Sequence, residues 1–277
     1  TATTEIYTLF PTRRSSDLRL RLEIPCISSG CCLKFKDREQ ENVEVISQYI
    51  RLASKVGASF VRVLGDLEPH PEGDVDDQTV LEGLKLLAPV AEKYNVMLLV
   101  ETNGVYTDTE RLKRLLDQVA SDYVAALWDV HHPYRFAGET PAQTVKNLGA
   151  YINYVHIKDS VLENGKVKYR MMGEGDLPVD DIVAALHSIN YEGYITLEWV
   201  KRWAPELEDP GIVFPHFVNF MTRYLGKAKG HGGLYDNNTK TGKYIWKKDE
   251  LIDLTFPQVL DRVAEEFPDQ YAFKYTV

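Results

Sequence analysis

Cysteine is scarce in this sequence: only three of its 277 residues are cysteine, namely Cys26, Cys31 and Cys32. Their spacing matches no zinc-binding pattern, and three thiols cannot all pair within one chain. The beginning of the sequence also lacks the basic start and apolar core of a secretory signal. The neighbours Cys31 and Cys32 are typical of ordinary reduced thiols, so we expect a cytoplasmic protein rather than a disulfide-stapled secreted one.

Long apolar runs and an excess of positive charge are also missing. No run approaches the ~20 apolar residues that are needed to cross a bilayer. Lys and Arg number 32 against 41 for Asp and Glu, and the net charge of −9 is the opposite of what a nucleic-acid-binding face requires. We therefore expect neither a membrane nor a nucleic acid as a partner. Hydrophobic residues reach 44%, which is enough to build a sizeable core.

Strand-like and helix-like patterns alternate between residues 19 and 226. The predicted strands cover 20–27, 59–65, 96–101, 124–130, 152–158 and 193–199, and the predicted helices cover 39–56, 78–94, 108–119, 140–149, 179–189 and 213–225. Such alternation predicts right-handed βαβ units and a parallel sheet. About six units can be counted, whereas a closed (β/α)8 barrel has eight. We predict an α/β protein with a TIM barrel that is truncated at its N-terminus to about six βα units.

A doubly wound open sheet is the alternative architecture for this alternation of strands and helices. That architecture typically has a G-x-G-x-x-G turn after its first strand, and no such turn follows any predicted strand. The barrel is therefore favoured.

Metal-capable side chains stand at the C-terminal ends of four predicted strands: Glu101 in MLLVE, Asp129 in AALWD, His156 in YVHIK and Glu198 in YITLE. Each alone could be a helix cap or a satisfied core residue, but parallel strands would bring all four to one mouth of a barrel. Three carboxylates and an imidazole would repel one another unless a cation lay between them. An oxygen-rich set with one histidine suits Mn²⁺, Mg²⁺ or Co²⁺, so we predict one divalent ion here.

The order Glu, Asp with a histidine three residues later, His and Glu is similar to that of the xylose-isomerase-like TIM barrels, and most to their sugar phosphate isomerase/epimerase group. The segments that carry the resemblance, over about residues 20–225, are VRVLGD, LLVETN, LWDVHHP, YVHIKD, GEGDLP and GYITLEW. The resemblance implies a metal-dependent enzyme of carbohydrate metabolism with a small sugar or polyol substrate. It also implies that the four strand-end residues are the ligands and that His132 touches a substrate hydroxyl. The resemblance does not fix the oligomeric state, and a homo-oligomer is one of the alternatives.

The implied chemistry is proton transfer through an enediolate, in which one carboxylate removes a proton and another returns it. Glu101 and Glu198 are predicted to take these catalytic roles. Lys158 and Arg62 would offset the negative charge and stabilise the enediolate. The alternative for Lys158 is a solvated charge paired with Asp159. Arg170, in the segment that leads to GEGDLP, is a further candidate for substrate binding.

Other functions fit part of this pattern. An inosose dehydratase would eliminate water from a cyclic polyol with the same ligands. An endonuclease IV-like enzyme shares the barrel but needs more histidines and a basic groove, which a chain of net charge −9 supplies poorly. A third alternative is a non-catalytic barrel domain fused to an AMP-forming ligase.

The two ends of the sequence lack the alternating pattern. Residues 1–18 show no period, and the string from Leu9 to Leu18 resembles translated sequencing-adapter DNA, so we interpret 1–18 as non-native or as a disordered leader. Residues 227–250 are rich in Gly, Lys and Asn and predict a linker. Residues 251–277 contain LTFPQVLDRVAEEFPDQYAF, which resembles the opening of AMP-forming acyl-CoA synthetases without their nucleotide-binding motifs. This resemblance implies the start of a truncated ligase-like domain.

Overall fold

The structure is a computed structural model, and it describes residues 23–224. The predicted leader (1–18), linker (227–250) and ligase-like segment (251–277) lie outside the described residues. A search of the described helices for a stretch that is long and apolar enough to span a membrane finds none.

Strands and helices alternate along the described chain, as the sequence predicts. In chain order the elements are β1 (Cys26–Cys32), α1 (Glu39–Val56), β2 (Phe60–Leu64), α2 (Asp77–Tyr94), β3 (Met97–Glu101), α3 (Thr109–Val119), β4 (Val124–Asp129), α4 (Pro141–Leu148), β5 (Ile152–Ile157), β6 (Asp159–Glu163), β7 (Lys166–Arg170), α5 (Val179–Ser188), β8 (Ile195–Leu197) and α6 (Pro210–Met221).

Six of the strands form one parallel sheet in the order β1-β2-β3-β4-β5-β8. Each new strand therefore joins beside the previous one, and the order never reverses. A doubly wound sheet would contain such a reversal at its switch point, whereas the wall of a barrel does not. The predicted barrel architecture is confirmed.

The main core fills the space between the sheet and the helices, and a smaller cluster lies on the other face of the sheet. Side chains alternate along a strand, so Leu98 and Val100 of β3 join the main core while Leu99 joins the smaller cluster with Leu127 of β4. Glu101 follows Leu99 on the same face. The interior face of the sheet is therefore apolar in its middle and acidic at its C-terminal end.

Two element boundaries differ from the prediction at positions next to a proline. Within the described residues the first strand lies at Cys26–Cys32, whereas the predicted range of 20–27 begins in residues outside the described part of the chain. Pro25 cannot donate to a ladder, and the pairing with β2 begins just after it. Helix α6 starts at Pro210 instead of 213, because a proline fits the first helical position without loss of a hydrogen bond. The hairpin of β6 and β7 was not predicted at all.

The β6–β7 hairpin turns at Asn164 and Gly165, which have φ values of 52° and 74°. Positive φ at both central residues is the geometry that an Asn-Gly pair favours in a tight hairpin. The Asn-Gly dipeptide was therefore the sequence signal for this element, although it sits between short, polar strands.

Asp159 anchors the segment that follows the hairpin. Its buried carboxylate accepts the backbone N–H groups of Ser160 at 2.8 Å, Gly173 at 2.9 Å, Gly175 at 3.0 Å and Leu177 at 3.2 Å. A Cβ atom at Gly175 would lie 2.0 Å from a carboxylate oxygen of Asp159, so only glycine permits this approach. One side chain thus holds the GEGDL segment against the start of β6.

Replacement of Asp159 by alanine should lower the free energy of unfolding by about 3 kcal/mol. That value is the upper limit for the loss of one hydrogen bond to a charged group. The other hydrogen bonds add little to the loss, because the more exposed N–H groups of the loop can bind water instead. Urea unfolding measures the loss. Glu174→Gln, an exposed change in the same segment, is the matched control and should stay within about 0.5 kcal/mol of the original. Equal stabilities of the two variants would contradict the anchoring role.

Candidate active site

Four side chains that the sequence predicts as ligands meet at the C-terminal ends of β3, β4, β5 and β8. One ligand atom from each of Glu101, Asp129, His156 and Glu198 lies within 4.8 Å of the others. We call these four residues the acidic cluster. Glu198 keeps 19% of its side chain exposed, whereas the other three are almost completely buried. The open side of the cluster is therefore the side of Glu198.

Strand register explains why these residues meet. Asp129 on β4 is the direct partner of His156 on β5. Glu101 on β3 is the partner of Leu127, which lies two residues before Asp129 and on the same face. Glu198 follows the end of β8, and its N–H still donates to the carbonyl of Ile157 at 2.9 Å. Parallel pairing alone therefore brings the cluster together.

Arg62, on β2, lies beside both glutamates of the cluster. Its Nε is 3.2 Å from Oε2 of Glu101, and its Nη2 is 3.9 Å from Oε1 of Glu198. The Nε contact lies outside hydrogen-bond geometry, so the attraction is that of an ion pair. Nη1 donates to the carbonyl of Ser29 at 3.0 Å, which fixes the guanidinium to β1. Arg62 therefore lies against the acidic cluster, and its role in substrate binding stays a prediction.

Lys158 bridges the cluster from the end of β5. Its ammonium contacts Oδ2 of Asp129 and donates to Oε2 of Glu198 at 2.6 Å. Only 2% of Lys158 is exposed, so it is not the solvated partner of Asp159 that the alternative interpretation describes. A buried ammonium requires such carboxylate partners, because its desolvation is otherwise very costly.

The cations set the protonation of the two glutamates. Burial alone would raise the pKa of Glu101, but Arg62 and His156 outweigh it and hold the pKa below its usual value. Burial likewise opposes the ionisation of Glu198, yet Lys158, His156 and Arg62 hold its pKa well below the usual range. Both glutamates are therefore carboxylates at neutral pH.

Asp129 differs from the two glutamates. Burial raises its pKa, and the negative charges of Glu198 and Glu101 add to this effect, while Lys158 opposes it. Lys158 contacts Asp129, yet its charge does not offset the effect of burial and of the two glutamates on this carboxyl group. Three carboxylates and one imidazole around one point form a donor set that fits a hard divalent cation, and such an ion would supply the missing charge.

His132 lies next to the cluster, and its contact with a substrate hydroxyl stays a prediction. Its Nδ1 is 3.1 Å from the carbonyl of Thr102 and its Nε2 is 3.5 Å from Oδ2 of Asp129. Thr102 also accepts the N–H of Asp129 on its hydroxyl at 2.9 Å, so it positions both residues. Burial, followed by the charge of Lys158, lowers the pKa of His132 well below its usual value. His132 is therefore a neutral imidazole.

Two residues near the cluster were missed from the sequence. The N–H of His131 donates to Oδ1 of Asp129 at 3.0 Å, and its ring lies with its centroid 5.7 Å from that of Tyr169 on β7. Burial raises the pKa of Tyr169, and the charges of Lys158, Asp129 and Glu198 also act on it, so this side chain lies near the cluster. The consecutive histidines gave a signal for His131, but Tyr169 depends on the hairpin, which was not predicted.

Arg170 is the predicted site residue that the structure does not bring to the cluster. Its guanidinium donates to Oε1 of Glu163 at 2.6 Å and to the carbonyl of Tyr169 at 3.0 Å, and 37% of the side chain is exposed. These contacts lie within the hairpin. Strand alternation accounts for the difference, because Tyr169 and Arg170 are consecutive on β7 and point to opposite faces.

Comparison with known proteins agrees with the fold. A sequence model of the family described as "Xylose isomerase-like TIM barrel" matches residues 17–212. Inosose dehydratase from Clostridium perfringens is 26% identical over 169 residues, which cover 55% of this chain and 54% of that protein. The chain spans about half the length of the curated relatives it matches.

Solved structures show the same fold at low sequence identity. An IOLI protein with a bound zinc atom superposes with a TM-score of 0.62 at 15% identity, covering 74% of this chain and 77% of that one. An L-ribulose 3-epimerase superposes with a TM-score of 0.61 at 15% identity, covering 80% and 79%. Together with the family match over most of the described residues, these likenesses identify the architecture. The chain belongs to the xylose isomerase-like TIM barrel family.

Proposed function

We propose that this protein is a divalent-metal-dependent isomerase or epimerase that moves a proton on a small sugar or polyol through an enediolate. The observation that carries the proposal is the acidic cluster. In it, ligand atoms of two ionised glutamates, Glu101 and Glu198, lie within 4.8 Å of those of Asp129 and His156. Membership of the family and the structural likeness to an L-ribulose 3-epimerase support it.

The acidic cluster would hold the ion, with His156 as its only nitrogen ligand. Manganese, magnesium and cobalt suit this donor set, and the similar IOLI protein was solved with zinc. A bound divalent ion would polarise a substrate carbonyl and acidify the adjacent C–H bond.

Glu101 and Glu198 would carry the proton. Both are ionised and both contact Arg62, so either carboxylate can accept a proton from one carbon while the other returns it. Three carboxylates set against Lys158, Arg62 and a divalent ion leave one net positive charge. That excess matches the single negative charge of an enediolate and would stabilise it.

His132 and Tyr169 would bind hydroxyl groups of the substrate. The Nε2 of His132 carries a lone pair, because Nδ1 uses the single ring proton to donate to the carbonyl of Thr102. It can therefore accept a hydrogen bond from a sugar hydroxyl. The Tyr169 phenol can both donate and accept, which suits a polyol better than an apolar ligand.

A dehydratase is the second candidate. The curated relatives are named inosose dehydratases, and the site offers two proton donors, Lys158 and Tyr169, near the carboxylates. Elimination of water needs a donor to the departing hydroxyl as well as a base, and this arrangement would provide both.

Metal binding can be tested on the full chain with Mn²⁺. We expect one ion per chain and a rise in melting temperature, since binding to the folded state alone adds about 2.7 kcal/mol at a hundredfold excess over Kd. His156→Gln should weaken binding at least about tenfold, because it removes the nitrogen ligand. His187→Gln on the exposed face of α5 is the matched control and should bind normally. Equal affinities of the two variants would argue against the ligand role.

Glu198→Gln separates binding from chemistry. The amide oxygen can still coordinate, whereas the base is lost, so kcat should fall by ~10²–10⁴ while metal content falls only modestly. Glu206→Gln, an exposed change in the same loop, should leave both quantities unchanged. Near-normal turnover of Glu198→Gln at saturating metal would restrict Glu198 to ligation and leave the proton transfer to Glu101 or Lys158.

Proton NMR in D₂O distinguishes the two candidate reactions. The metal-loaded chain is incubated with ketopentoses, ketohexoses and inososes. Isomerase or epimerase action should replace a C–H beside the carbonyl with deuterium and give a product of unchanged hydration. Dehydratase action should instead give a product that has lost water. Absence of both signals across these substrates, with metal shown to be bound, would overturn the proposal.

A further inference from the structure

A second group of ligand-capable residues shares Asp129 with the acidic cluster. It consists of Asp129, His131 and His132, and one ligand atom from each lies within 4.8 Å of the others. All three residues are almost completely buried. Two neutral imidazoles and a carboxylate make up a donor set that divalent transition metals accept readily. A second cation position therefore adjoins the first.

The geometry of His132 directs one ring nitrogen toward this second position. Its Nδ1 lies 3.1 Å from the carbonyl of Thr102, and its Nε2 lies 3.5 Å from Oδ2 of Asp129. Both Nε2 and Oδ2 can act as ligands of a positive group.

Lys158 supplies that positive group. Its ammonium contacts Oδ2 of Asp129, the same oxygen that faces His132, and it is held from the other side by Glu198 at 2.6 Å.

His131 remains available as a ligand. Its Nε2 is 2.9 Å from the hydroxyl of Ser160, which Arg135 also contacts at 2.9 Å. Within residues 23–224, no hydrogen-bond partner is found for its buried Nδ1. An unpartnered ring nitrogen at 0% exposure is costly, and coordination of a cation would satisfy it.

We propose that Lys158 is a resident cation that occupies the second position, so that the site takes one divalent ion rather than two. The proposal rests on the metal site that we propose at the acidic cluster. A second ion would have to displace the ammonium and break its contacts with Asp129 and Glu198. The lysine would thereby set the number of metal ions as well as the charge of the site.

Replacement of Lys158 tests this inference with Mn²⁺ as the probe. Lys158→Met removes the ammonium, and Lys158→Gln removes the charge but keeps a hydrogen-bond donor for the two carboxylates. Lys85→Met, on the exposed face of α2, removes the same charge far along the chain and is the matched control. Bound manganese is counted by mass spectrometry after desalting, and electron paramagnetic resonance detects spin coupling between neighbouring ions.

We expect one uncoupled ion in the original protein and in Lys85→Met, and two spin-coupled ions in both Lys158 variants. The first ion should also bind at least about tenfold more tightly once a positive charge a few ångströms away is gone. His132→Asn in the Lys158→Gln background should remove the second ion and keep the first.

One ion in a folded Lys158 variant, with unchanged affinity, would overturn the inference while leaving the metal site intact. Two ions in the original protein at millimolar Mn²⁺ would overturn it as well, and this measurement does not depend on the folding of any variant. No bound ion in the original protein would instead refute the metal site itself.

Discussion

The balance of buried charge constrains this site more than any other interaction. Three carboxylates meet at the end of the sheet, and each would raise the pKa of the others if no cation lay among them. Arg62 and Lys158 compensate two of the charges, which leaves Asp129 with a raised pKa. Two fixed cations therefore hold the glutamates ionised, and the remaining deficit at Asp129 is what favours a divalent ion.

Most of the fold and the acidic cluster could be predicted from the sequence, because both follow from strand periodicity. Alternation along β3 places Glu101 on the face of Leu99, and parallel register places Asp129 beside His156. These relations need only the positions of the strands, which apolar runs indicate well. Boundaries near Pro25 and Pro210 shifted by a few residues, and none of these shifts changes which face a site residue occupies.

What could not be predicted depends on tertiary contacts between segments that carry no apolar period. The hairpin strands are short and polar, so their presence, and with it the position of Tyr169, had no periodic signal beyond Asn164-Gly165. Arg170 was predicted as a site residue because it lies in the segment that leads to GEGDLP. The sequence did not reveal that its neighbour on β7 would take the inward face and leave it to pair with Glu163.

Lys158 and Asp159 are consecutive residues with opposite tasks. The ammonium of Lys158 points into the cluster. The carboxylate of Asp159 is also buried, but it points away from the cluster and accepts the N–H groups of Gly173 and Gly175. One peptide unit therefore joins the residue that compensates the carboxylates of the acidic cluster to the residue that holds the GEGDL segment. The charge balance of the cluster and the path of the chain after the hairpin are thus set by two neighbouring residues.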